Sequence, residues 1–116
     1  MDRKAMIRGY RERRPTMGIF QVRNRSNGKV LIGASTDVPA MLNRQRAQLR
    51  LGVHPNRELQ ADWAALGDEA FAFEVLDTIA RPDHSAGDPR DDLKLLEMMW
   101  LEQLAPFGAR GYHRSA

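Results

Sequence analysis

The sequence predicts an α+β domain, a small antiparallel three-stranded sheet flanked by helices. Three observations carry this. Residues 17–23 and 29–32 are short apolar runs on either side of Asn24-Arg25-Ser26-Asn27-Gly28, and an Asn-Gly step readily takes the positive φ angles of a tight hairpin turn. Residues 70–76 alternate, with Phe71, Phe73 and Val75 on one face and Ala72, Glu74 and Leu76 on the other, which suits a third strand. Apolar residues recur at helical spacing in the stretches between and after these strands.

Residues 2–14 suit a helix with Met6, Ile7 and Tyr10 on its apolar side, ended by Pro15. Residues 1–16 therefore read as a basic N-terminal helix or arm, residues 17–113 as one domain and 114–116 as a tail. After the hairpin, Ser35-Thr36-Asp37 supplies capping side chains and Pro39 is tolerated only near a helix start, so a helix is expected over 38–51 and stopped by Gly52. A further helix over 57–66 carries Leu59, Trp63 and Leu66 as its buried stripe and ends at Gly67-Asp68. Residues 81–89 have the composition of a loop, where His84 beside Asp83 and Asp88 reads as a solvated histidine. The last helix, over 90–104, presents Leu93, Leu96, Trp100, Leu101 and Leu104 on one stripe.

With 116 residues and 42% apolar composition the chain is long enough for a single core. It has no cysteine, which excludes disulfides, thiolate metal sites and a cysteine nucleophile and suits a reducing cytoplasm. No window is apolar enough to span a membrane, and residues 1–14 lack the apolar run of a signal peptide, so a soluble, cytoplasmic protein is expected.

The net charge of +3 hides an asymmetry: residues 1–57 hold thirteen Lys or Arg and three acids, 13 − 3 = +10, which leaves 3 − 10 = −7 for the remainder. A basic half in a small domain points to phosphate backbones, and Arg23, Arg25, Lys29, Arg50 and Arg57 are its candidate contacts. The plainer reading is surface charge in an arginine-favouring composition.

Glu97 falls inside the apolar stripe of the last helix, four residues after Leu93 and three before Trp100. Burying an unpaired carboxylate is costly, so such a residue is paired, protonated, bound to a metal or turned to an edge.

Each hairpin strand carries a glycine and an apolar pair, Gly18-Ile19-Phe20 and Leu31-Ile32-Gly33, with ten residues between the triplets. This resembles the paired triplet of the GIY-YIG endonuclease family with both tyrosines replaced. The resemblance continues in order along the chain. His54-Pro55-Asn56-Arg57-Glu58-Leu59-Gln60 is similar to the family's H-x-N-x-x-L-Q segment, residues 63–73 to its W-x-x-x-G-x-x-x-F-x-F run, Glu97 to Leu101 to its E-x-x-W-I segment, and Gly111-Tyr112-His113 to its closing G-Y-N.

The resemblance implies a metal-dependent DNA endonuclease in which Glu97 holds a single Mg²⁺ or Mn²⁺ ion. It also locates the departures. Phe20 and Leu31 stand where the tyrosines would be, Met41 where a helix arginine would be, and Gln45 where a histidine or tyrosine would be. Replacement groups are present: Arg44 or Arg46, three and five residues after Met41, as a phosphate clamp, and Tyr112 or His113 for proton transfer, with His54 a weaker candidate for it and also a candidate nucleic-acid contact. An alternative is a catalytically decayed module that binds nucleic acid or a partner on the same scaffold. A domain this small would depend on DNA shape, a homodimer or a protein partner for target choice.

Overall fold

The computed structural model describes residues 16–79 and 89–114, so the basic arm and the loop around His84 lie outside the described residues. The hairpin comprises β1 (Met17–Asn24) and β2 (Val30–Ser35), followed by helices α1 (Val38–Leu51) and α2 (Arg57–Leu66), strand β3 (Phe71–Ile79) and helix α3 (Pro89–Leu104). The strands form one antiparallel sheet in the order β2-β1-β3. This is the α+β architecture expected from the sequence.

Local chemistry sets the boundaries. Gly28 takes φ +79° in the turn, and Asn24 closes it, accepting from Ser26 N at 2.9 Å through its side chain. Asp37 caps α1, its side chain accepting from Ala40 N at 3.2 Å, and Asn56 caps α2 by accepting from Leu59 N at 3.0 Å. Two strands run longer than their apolar patterns. β2 continues through Gly33, Ala34 and Ser35, weak strand formers held in place by pairing with Phe20, Ile19 and Gly18. β3 continues to Ile79 by pairing with Ile19, Gly18 and Met17 beyond a register shift between Ile19 and Phe20, where the alternation of the sequence also breaks.

The pleat sorts the side chains into two layers. Val22, Leu31, Phe71 and Phe73 face α1 and α2, where they pack with Leu49, Leu59, Trp63 and Tyr112. Ile19, Val30 and Ile32 face α3 and pack with Leu96, Trp100, Leu101 and Leu104. The outer edge of β2 is met by the C-terminal segment: Gly111 bridges to Val30 in parallel, and Tyr112 N donates to Val30 O at 3.1 Å. No described helix is long and apolar enough to cross a membrane.

Candidate functional site

The two triplets meet face to face, with Phe20 paired to Gly33 across the hairpin. Phe20 is buried and lays its ring over the glycine. Leu31, two residues earlier on the same face, packs against the core cluster that holds Val22 and Tyr112. The two positions at which the family resemblance expects tyrosines are thus filled by apolar side chains without a proton to transfer. Ile19 and Ile32 face the other way, into the α3 layer. Gly18 has no room for a side chain, since a Cβ there would lie 2.1 Å from Asp77 O.

From the α1 positions a string of hydrogen bonds runs to the C-terminal segment. Gln45 Nε2 donates to Met41 Sδ at 3.6 Å, and Gln45 Oε1 lies 2.5 Å from His54 Nε2. Asn56 N donates to His54 Nδ1 at 3.0 Å, which leaves Nδ1 bare and makes Nε2–H the donor to Gln45. Asn56 Nδ2 in turn donates to Tyr112 O at 2.9 Å. His54 is buried and both its nitrogens are engaged, so it cannot touch nucleic acid, contrary to the sequence expectation. Burial lowers its pKa and keeps it neutral.

Tyr112 and His113, expected from the sequence to supply proton transfer, are tied into the scaffold. The Tyr112 hydroxyl donates to Asp62 Oδ2 at 2.7 Å and accepts from Asn24 Nδ2 at 3.0 Å. Burial pushes its phenol well up, and the nearby Asp62 carboxylate adds to this. Ile32 N donates to His113 Nε2 at 2.8 Å, so the ring satisfies a backbone donor on the outer edge of β2, and burial lowers its pKa as well.

Among the described residues, three bases of the basic half pair with acids of the other half. Arg23 pairs with Glu74 at 2.8 Å, Arg50 with Asp68 at 2.8 Å, and Lys29 with Glu58. Each base lies before residue 58 and each acid from Glu58 onward, so the charge asymmetry along the chain partly cancels in space. Arg46 turns toward β3, its guanidinium carbon 4.5 Å above the centre of the Phe73 ring, and its buried Nε has no hydrogen-bond partner. Arg25, Arg44 and Arg57 are exposed.

Glu97 is half-buried, and among the described residues it accepts no hydrogen bond and forms no ion pair. It lines a cavity of about 230 Å³ with Ala34, Ser35 and Thr36 from the end of β2 and Arg90, Leu93 and Lys94 from its own helix. No α1 side chain lines this cavity, so neither Arg44 nor Arg46 joins Glu97 there. Sequence reasoning passed over Arg90 and Lys94, although seven and three residues before Glu97 they share its helix side. Among the described residues no cluster of three His, Cys, Asp or Glu could cage a metal. One carboxylate beside hydroxyls still suits a hard cation that keeps most of its water, as Mg²⁺ does.

Comparison with solved structures places the fold. The chain is similar to the catalytic domain of the homing endonuclease I-TevI, with a TM-score of 0.69 and 25% identity over 86% of this chain and 99% of that one. A second structure, the catalytic domain of the intron endonuclease I-TevI in a glutamate-to-alanine variant, gives a TM-score of 0.64 and 24% identity over 78% of this chain and 84% of that one. No family model and no curated protein matches the sequence.

Proposed function

On the premise of a GIY-YIG-like nuclease domain, we propose that this protein is a DNA endonuclease of weak or altered activity, acting in the cytoplasm on phosphodiester bonds and dependent on one divalent cation. The observation that carries the reading is Glu97, a half-buried carboxylate without a partner among the described residues, in the fold of an endonuclease catalytic domain. Glu97 would hold Mg²⁺ or Mn²⁺, and Ser35 and Thr36 line the same cavity. When bound, the cation supplies charge stabilisation at the scissile phosphate and the leaving oxygen. The chain's own residues hold the carboxylate in place, since α3 packs on the sheet through Leu96 and Trp100 on either side of it, with Leu93 buried one turn earlier.

The test is cleavage of supercoiled, single-stranded and branched DNA with Mg²⁺ or Mn²⁺. Metal-dependent nicking that is absent in Glu97→Ala is the expected result; nicking that survives the substitution removes Glu97 from the mechanism. A second reading is favoured by a specific observation: Phe20, Leu31 and Met41 are apolar, while His54, Tyr112 and His113 are held in structural hydrogen bonds. A binding module that has lost turnover fits this. It requires salt-sensitive DNA binding without cleavage under either metal.

A further inference from the structure

The α1 position where the resemblance calls for an arginine holds Met41, which accepts from Gln45 Nε2. The Arg46 guanidinium lies on Phe73. If phosphate is gripped next to Glu97, the cation must come from elsewhere. The cavity at Glu97 has two cationic side chains on its wall, Arg90 and Lys94, both exposed. They stand four residues apart on α3, and Lys94 precedes Glu97 by three, so all three project from one side of the helix. Lys94 is not spent on Glu97: no ion pair joins them, close as they are along the helix.

We propose that Lys94 and Arg90, with the Ser35 hydroxyl opposite, form the phosphate-binding subsite of this domain, in place of a cation on α1. The proposal rests on the nuclease reading above and names its substrate contact. Two cations and a carboxylate on one cavity wall form a mixed-charge lining suited to a phosphate oxygen and a cation side by side. Ser35 Oγ accepts from Asp37 N at 3.0 Å, which positions the hydroxyl and leaves its own O–H as a donor, and Ser35 lines the cavity. At about 30 Å³ per water, the cavity of about 230 Å³ has room for a phosphate group and part of its hydration. Lys94 acts as a point charge toward a phosphate oxygen, and Arg90 adds a second positive charge on the same wall.

The experiment is fluorescence anisotropy of a labelled DNA duplex across a salt series, with Ca²⁺ present to allow binding. The full chain is compared with Lys94→Gln, Arg90→Gln, the double variant, Lys94→Arg, Arg44→Gln and, as a charge control, Arg110→Gln. The double variant is expected to bind about tenfold or more weakly and to lose about two units of salt slope, one per cation removed. Lys94→Arg should keep the wild-type slope, and Arg110→Gln should leave affinity within about twofold of wild type. Wild-type binding in the Lys94 and Arg90 variants, with loss in Arg44→Gln, would overturn the proposal and return the clamp to α1 while leaving the nuclease reading intact. A wild-type chain that binds no DNA even at low salt would overturn both.

Discussion

A Cβ on Gly33 would lie 2.5 Å from the ζ carbon of Phe20. The glycine that closes the second triplet is thus explained by the aromatic ring that closes the first, for the ring needs the space a side chain would take. Gly33→Ala should cost about 1–3 kcal/mol through forced displacement of a buried ring. Combining it with Phe20→Leu should cost less than the sum of the two single changes. Urea denaturation of the four proteins in the cycle checks this; additive losses would mean that ring and glycine are not in contact.

The same contact bears on activity. Phe20→Tyr adds one hydroxyl to a buried ring, and Leu31→Tyr with Met41→Arg would supply the groups that the family resemblance expects at two more of its four departures. The triple variant should cleave DNA with Mg²⁺ about 10²-fold or more faster than the natural sequence, the scale of a restored proton-transfer group. Single-turnover cleavage measures it. An unchanged rate would show that more than side-chain identity has been lost.

Tyr112→Phe removes a hydroxyl that bonds both Asn24 and Asp62 and leaves a fully buried Asn24 amide without its partner. Stability should fall by about 1–3 kcal/mol while DNA binding stays the same. Thermal melting and anisotropy on the same preparation separate the two. A loss of binding without a loss of stability would instead give the phenol a role at the nucleic acid.

His54 and His113 both have pKa values lowered by burial from the ordinary 6.5. The folded state resists taking up protons that the unfolded chain binds readily. The stability that depends on the neutral rings is complete above the unfolded value and is lost as pH falls below it toward the folded values. The melting temperature should therefore decline from about pH 7 to pH 5, and His113→Asn should flatten part of that slope. An unchanged slope would mean that His113 does not titrate with unfolding.

The fold was legible where local chemistry and long-range packing agree. Asn24 to Gly28 marks the hairpin, Asp37 and Asn56 cap their helices, and the α3 stripe faces the sheet as its spacing requires; of the expected α2 stripe Leu59 and Trp63 are buried, whereas Leu66, at the last position before Gly67, is exposed. What escaped was set by partners distant in sequence. Nothing local in Tyr112 or His113 signals that one binds Asn24 and Asp62 and the other a backbone donor of β2, so their polar groups resemble free chemistry until the chain closes. The pairing of three bases of the basic half was hidden for the same reason, because Glu58, Asp68 and Glu74 return to Lys29, Arg50 and Arg23 only in three dimensions.

The covering of β2 also has a consequence in time. The strand is sealed along its outer edge by a bridge from Val30 to Gly111, 111 − 30 = 81 residues downstream. At roughly 5–20 residues per second of synthesis, roughly 4–16 seconds separate the appearance of the hairpin from that of its seal. During that interval the nascent chain offers an unpaired strand edge to anything nearby, including other copies of itself. Expression under slowed translation would prolong this exposure and raise the insoluble fraction, whereas shortening the delay would favour the soluble product without altering a single native contact.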